Sequence, residues 1–486
     1  MTGVPRCMST QHPDNVDPPF FADAPALSGE DEIEEAYYAY SHLGCDEQMW
    51  DAEGKEVDGF VVKKLLGKYP SFFDANRLGR DIRLTLRVPN PAVETTEAKI
   101  LLETLESIAR SSDATRPFYD GATPPIFEVI LPMTTSAREL NRIYRYYRDI
   151  VVGKQTQRLG DDDITVAEWV GSFEPEHIEV IPLYEDLDNM LAADRITEEY
   201  LRDKDVTTQR VFLARSDPAM NYGMLAAILM AKIALRRLHE LEERSGVKIA
   251  PILGVGSAPF RGGLTPDAVD QIMANHPSVH TFTVQSAFKY DHPPGMVRDA
   301  IARIRAHTPS MPPAVDEERC IEIINRTAQA YRKHVVELAP VVQRLARFVP
   351  ARRTRKLHVG LFGYARDVAG VSLPRAISFT AALYSVGLPP EVLGIEALTK
   401  DDHAFLSEAA PRMMFNLRRA GRYLRADSDL VPPEVARAAR ELYLCDEPDE
   451  EHHALTAEIA DGARGTDTAD LAPAMLRAAR QRRFLG

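Results

Sequence analysis

The stretch RVFLARSDPAMNYGMLAAILMAKIALRRLHELEERSGVKIAPILGVG (210–256) decides the fold. It opens on a short apolar run, RVFLARSD (210–217), and closes on another, IAPILGVG (249–256). Between them the spacing predicts a long helix over 218–245, with Pro218 in its first turn and Gly246 just past its end. Strand, helix and strand in that order make a parallel pair. The theme recurs in MSTQH (8–12), IRLTLR (82–87), PIFEVILP (125–132), HIEVIPLYE (177–185), VHTFTVQ (279–285) and KLHVGLFGYAR (356–366). Helical patterns separate most of these runs. Seven of the eight lead into His12, Arg87, Glu185, Asp217, Arg261, Gln285 and Arg366. Eight strands with polar groups at their C-terminal ends predict an α/β chain, a (βα)8 TIM-type barrel elaborated by many additional α-helices. The chemistry of such a barrel sits on that face.

The other helical patterns are 28–45, 95–110, 134–159 and 315–349. In the second, Leu101, Leu105 and Ile108 share one face. In the third, Thr134, Thr135 and Ser136 are N-cap candidates. LGCDEQMWDAEGKEVDG (43–59) reads as turn-rich and charged. The last 90 residues read as helices without strands. With no repeat or clear linker, the expectation is one unit over 1–486, of which about 396–486 is the helical C-terminal part.

The net charge of −14 argues against wholesale binding of nucleic acid or an anionic membrane. It leaves room for a local basic pocket. No apolar run reaches the roughly 18–20 residues of a membrane span. The start, MTGVPRCMST, lacks the apolar core of a signal peptide, and Met8 reads as an alternative start with residues 1–7 dispensable. Cys7, Cys45, Cys320 and Cys445 form no CxxC pair, which fits a reducing cytoplasm.

Glu185 and Asp217 follow consecutive strands. Each has a plain structural reading, as an acid at the positive end of the next helix. Together they read as a hard-cation site, because two carboxylates leave open positions on Mg2+ or Mn2+. The loop GVGSAPFRGG (254–263) is neither a Walker loop nor a dinucleotide fingerprint. Its Arg261 sits among glycines and can grip a phosphate or carboxylate. Arg87, Arg366 and Arg375 near other strand ends add cationic character, which implies an anionic substrate. His12, before a Pro/Asp turn, reads as structural or as a proton carrier near neutral pH.

Six blocks carry a resemblance: STQHPDN (9–15), LYEDLDN (183–189), RSDPAMNYGMLAA (215–227), GSAPFRGG (256–263), TVQSAFKYD (283–291) and LPRAISFTAALYSVGLPPE (373–391). In this order, over residues 8 to about 395, the chain resembles phosphoenolpyruvate carboxylase of the short archaeal type. The resemblance implies a cytoplasmic enzyme, usually a homotetramer. It would convert phosphoenolpyruvate and bicarbonate to oxaloacetate and phosphate with Mg2+ or Mn2+. It implies Glu185 and Asp217 as metal ligands, and His12 as the histidine that manages the bicarbonate-derived intermediate. Arg87, Arg261, Arg366 and Arg375 follow as substrate-holding arginines. The longer enzymes carry a histidine and an arginine early in the glycine-rich loop, where this chain has Leu253 and Val255. Arg215 is a candidate for the missing charge.

Two other functions fit the residues. A metal-dependent barrel lyase or mutase acting on 2-oxo acids or phosphoenolpyruvate would share the carboxylate pair and need no bicarbonate. A non-catalytic metabolite sensor would be expected to have lost one of the site residues, and none is missing.

Overall fold

A computed structural model describes residues 3–52, 58–94, 98–119, 123–354, 367–368, 370–464 and 470–486. Eight strands form a closed parallel barrel: β1 (Cys7–Ser9), β2 (Glu47–Asp51), β3 (Arg83–Arg87), β4 (Glu128–Leu131), β5 (Glu179–Tyr184), β6 (Thr208–Ala214), β7 (Lys248–Gly254) and β8 (Thr281–Val284). They follow one another in sequence order around the ring. Pairing of Cys7, Met8 and Ser9 with Phe282, Thr283 and Val284 closes it.

Seven of the predicted runs coincide with strands. The remaining barrel strand, β2, comes from EQMWD, inside the segment that read as turn-rich. KLHVGLFGYAR (356–366) lies outside the described residues. EQMWD escaped the pattern because two of its inward positions, Glu47 and Asp51, are charged and only Met49 between them is apolar. Glu47 is wholly buried in an ion cluster, so the usual apolar alternation is absent.

Strand β6 displays the layering of the barrel. Its side chains alternate in direction, as strand geometry requires. Val211 and Leu213 join the large core beneath the helices, while Phe212 and Ala214 join a separate inner cluster with Met8, Met49, Ile130, Ile181, Leu183 and Ile252. Below that apolar layer Arg210 donates to Glu47 Oε1 and Oε2 at 2.7 and 2.6 Å, and to Glu128 Oε2 at 3.1 Å. Arg83 also donates to Glu128, at 2.7 Å. A charged plug therefore fills the lower end of the barrel and an apolar floor lies over it.

The helix expected over 218–245 is two helices, Ser216–Tyr222 and Met224–Ser245. Gly223 breaks it at φ +89°, and a Cβ there would lie 3.2 Å from the Tyr331 ring. Gly246, left-handed at φ 70°, ends the second piece as expected. The pattern over 315–349 is one helix, Glu317–Ala346, with Pro340 inside it. The pattern over 134–159 begins at Ala137. Ser136 is its N-cap by position, without a side-chain bond to the helix. The described residues beyond 396 are helices and loops. Their end returns to the barrel, where Leu485 N–H donates to Asp14 O at 2.7 Å. Residues 6 and 7 belong to the barrel: Cys7 lies in β1, and Arg6 O accepts from Phe282 N–H at 2.9 Å. A start at Met8 would therefore cut into β1. All four cysteines are free, and among the described residues no helix is long and apolar enough to cross a membrane.

Candidate active site

At the C-terminal ends of the strands, His12, Arg87, Glu185, Arg215, Asp217, Arg261 and Arg375 line one cavity of about 120 Å3. A single water needs about 10–15 Å3 on this measure, so several waters or a small anion fit. Most of them follow barrel strands that the closed ring brings together, and Arg375 joins from the start of the helix Ala376–Tyr384. Arg366 lies outside the described residues.

The plain structural reading does not hold for Glu185, whereas Asp217 does lie at the positive end of the next helix, without capping it. Asp186, not Glu185, caps the helix after β5; its side chain accepts from Asn189 N–H at 3.0 Å. Glu185 Oε2 instead accepts from Met133 N–H at 2.7 Å. Met133 is a non-glycine residue at φ +50°, a conformation that costs energy and persists where its surroundings enforce it. Asn90 supplies part of that enforcement, with Nδ2 donating to Pro132 O at 2.9 Å and to Met133 O at 3.3 Å. The turn after β4 thus holds Glu185. Asp217 sits in the first turn of Ser216–Tyr222, whose N-cap is Arg215, with no side-chain cap.

Strands β5 and β6 pair Leu183 with Phe212 and Tyr184 with Leu213, so the acids leave adjacent staves about 5 Å apart. Among the described residues no group of three or more His, Cys, Asp or Glu could hold a metal. That excludes a closed structural zinc-type cage from these residues. Two carboxylates facing a cavity with room for several waters do fit Mg2+ or Mn2+, which keep waters and take substrate oxygens.

Arg261 is buried, and its Nε donates to Ser216 Oγ at 3.1 Å. Its Nη1 donates to Asp14 Oδ2 at 3.2 Å and to Gly486 O at 2.7 Å, and its Nη2 donates to Gln285 Oε1. Burial lowers the Arg261 pKa and raises that of Asp14, and their contact opposes both shifts. Asp217 also favours the charged Arg261. The loop reaches this place because Gly262 adopts φ +122°, where a Cβ would lie 2.6 Å from Val255 Cγ1. Val255 therefore packs under the loop, and Leu253 belongs to the outer core. Neither lines the cavity, whereas Arg215 does.

Arg215 is only 1% exposed, and burial alone lowers its pKa to about 10. Its Nη1 donates to Ala227 O at 3.2 Å, and its buried Nε has no hydrogen-bond partner among the described residues. A buried cation without a carboxylate is costly by itself. An anionic ligand would relieve that cost. Arg87 is held by Asp51 Oδ2 at 3.3 Å, and His12 Nδ1 lies 2.9 Å from Thr10 Oγ1.

Sequence reasoning missed Asp51, Thr10, Asn90 and Met133. Gln285 was picked out without a role; it anchors Arg261. Only Thr10, two residues before His12 in STQHPDN, carried a local signal.

A family model described as phosphoenolpyruvate carboxylase matches residues 4–486. A phosphoenolpyruvate carboxylase of Methanothermobacter thermautotrophicus is 56% identical over 483 residues, covering 99% of this chain and all of its own. One from Methanospirillum hungatei is 52% identical over 486 residues, covering 99% of this chain and all of its own. One from Halobacterium salinarum is 52% identical over 495 residues, with both chains covered in full.

Proposed function

This chain belongs to the phosphoenolpyruvate carboxylase family and is an enzyme of phosphoenolpyruvate carboxylation; from that premise we propose that its barrel cavity works by way of carboxyphosphate and the enolate of pyruvate. The observation that carries the reading is the convergence of two acids, four arginines and His12 on one cavity.

Glu185 and Asp217 would hold one Mg2+ or Mn2+. When bound, that ion supplies positive charge to the phosphoryl and enol oxygens as a Lewis acid. Arg87, Arg215, Arg261 and Arg375 bind the phosphate and carboxylate of phosphoenolpyruvate, and Arg366 is proposed to join them. Bicarbonate oxygen attacks phosphorus, and the bond from phosphorus to the enol oxygen breaks. Carboxyphosphate and the pyruvate enolate result. The fixed guanidinium groups meet charge where it accumulates.

Thr10 Oγ1 orients the His12 ring, and His12 takes the proton of the carboxyphosphate acid group. Carboxyphosphate then parts into CO2 and phosphate. C3 of the enolate adds to CO2 to give oxaloacetate. The apolar floor beneath the cavity keeps water from the barrel side. The helices beyond residue 396 are proposed to be part of the same unit, since Arg419 donates to Gly263 O at 2.9 Å and to Thr265 Oγ1 at 2.9 Å. The working assembly is proposed to be a homotetramer in the cytoplasm.

A malate dehydrogenase-coupled assay with and without bicarbonate tests the reaction. Oxaloacetate and phosphate should appear in equal amounts and only with bicarbonate. A carbon–carbon product formed without bicarbonate would favour the lyase or mutase reading.

A further inference from the structure

The turn that carries Arg261 is fastened from outside the barrel. Residues Pro259–Arg261 form a short 3-10 helix. Arg261 N–H and Gly263 N–H donate to Ala258 O at 2.9 and 3.0 Å, and Gly262 N–H donates to Pro259 O at 3.1 Å. Pro259 has no N–H to place. Phe260 N–H lies at the start of the turn, where the helix itself offers no acceptor. It donates instead to Glu391 Oε1, at 2.6 Å.

Glu391 is 1% exposed, on the turn Pro390–Val392. The same oxygen accepts from the Tyr384 hydroxyl at 2.7 Å. Tyr384 is the last residue of the helix Ala376–Tyr384, whose N-cap is Arg375. That helix is seated in the core through Phe379, Ala382 and Leu383. The Phe260 and Phe379 rings lie 5.9 Å apart, centroid to centroid. Glu391 therefore ties the turn bearing Arg261 to a helix that begins at Arg375. Both arginines line the cavity, and neither Glu391 nor Tyr384 does. Burial raises the Glu391 carboxyl to about 7, with Tyr384 first among the groups opposing it. Its Oε2 is buried with no hydrogen-bond partner among the described residues. One acceptor oxygen thus carries both bonds.

We propose that Glu391 is a positioning residue, which sets Arg261 at a fixed place relative to Arg375. The inference rests on the reading of Arg261 as a phosphoenolpyruvate-binding arginine. Four glycines lie within residues 254–263, so the loop has backbone freedom to lose, whereas the packed helix does not. Two cations hold a small anion best when their separation is set before it arrives, because ordering them later costs affinity. The bond to Phe260 N–H acts one residue from the guanidinium-bearing residue.

The test is phosphoenolpyruvate binding to the full chain with Mg2+, by titration calorimetry in bicarbonate-free buffer. Dissociation constant and stoichiometry are read separately there, and no turnover is needed. Glu391→Ala should raise the dissociation constant about 10-fold with the stoichiometry unchanged. Glu391→Gln keeps an acceptor oxygen and should stay within about 2-fold of the parent. In an Arg261→Met background, Glu391→Ala should add nothing, because its effect runs through that arginine. A purely structural Glu391 would lower the stoichiometry or the melting temperature and leave the dissociation constant alone. Should Glu391→Ala fail to fold, Tyr384→Phe removes one of the two bonds and should weaken binding by a smaller factor, again only with Arg261 present. Unchanged affinity in Arg261→Met would end the reading of the site itself. If Arg261→Met weakens binding while Glu391→Ala and Tyr384→Phe do not, this inference alone falls. It falls equally if their effect survives in the Arg261→Met background, or if Gln at 391 binds as weakly as Ala.

Discussion

Strand β6 carries Arg210 and leads directly into Arg215, and these two buried arginines, five residues apart, live in opposite conditions. Arg210, 2% exposed, lies in the plug at the lower end of the barrel. Burial works against its charge there, but Glu128 and Glu47 outweigh burial and raise its pKa. Arg215, 1% exposed, lies at the upper end, where burial lowers its pKa to about 10 with no acid opposing it. The lower cluster answers its own charges and so serves the fold. At the upper end Arg215 meets no such acid, which suits an anionic ligand. A buried charge thus reads as structural or functional according to what faces it.

The largest expected effect tests the upper region alone. Asp217→Asn should lower Mg2+-dependent turnover by about 1,000-fold or more. Its denaturant midpoint should stay close to that of the parent. Retained turnover at ordinary Mg2+ would remove Asp217 as a ligand.

The two arginines should then separate. Arg210→Met strands Glu47, leaves Glu128 with Arg83 alone, and should cost about 3–5 kcal/mol of unfolding free energy. Arg215→Met removes a cation that burial disfavours, so it should raise stability by about 1–3 kcal/mol while raising the KM for phosphoenolpyruvate about 100-fold. Denaturant melts and steady-state kinetics on both variants decide it. If both variants lose the same quantity, the contrast drawn here is wrong.

His12→Asn should shift the products rather than the fold. Bicarbonate-dependent phosphate release should persist with pyruvate as the other product, and oxaloacetate should fall by at least about 10-fold. Near-normal oxaloacetate would make His12 structural.

Asn90→Ala acts through the turn that holds Glu185. Mn2+ affinity, read by titration calorimetry without substrate, should weaken about 10-fold. An unchanged affinity would detach that turn from the acid.

The smallest effect belongs to the lower region. Burial, with Glu128 adding to it, raises the Glu179 carboxyl from 4.5 to about 7. A raised folded-state pKa gives stability that is present in full below about 4.5 and lost as pH rises through about 7. Glu179→Gln should flatten that slope, by about 1–2 kcal/mol across the window. A slope that survives the substitution would assign it to another group.

Most of the barrel could be read before the structure, because β3 to β8 are apolar runs followed by a charged or polar residue. Strand β2 could not. Met49 faces the inner cluster and Trp50 the outer core, while Glu47 and Asp51 serve ion pairs, so no period of two appears in hydropathy. The run at 356–366 has the composition of a strand, yet the ring closes without it. Glycine had the same effect on the long helix, where a close approach by Tyr331 broke a pattern that hydropathy had made continuous.

The candidate site was legible wherever a side chain directly follows a strand, as with Arg87, Glu185 and Asp217. It was not legible where a partner arrives from a neighbouring stave. The Asp51–Arg87 contact and the Met133 N–H on Glu185 depend on which strands are adjacent. That adjacency exists only once the ring has closed. Arg215 opens the block RSDPAMNYGMLAA, and its importance lies in what surrounds it rather than in its own position.

The chain's two tryptophans occupy opposite surroundings: Trp50 is 1% exposed on β2 and Trp169 is 66% exposed on the short helix Val166–Val170. Their light should therefore be separable. A soluble quencher such as iodide reaches the red-shifted emission of Trp169 and spares Trp50 until the barrel opens. One cuvette then yields two gauges, one for the surroundings of that short helix and one for whether the ring is intact.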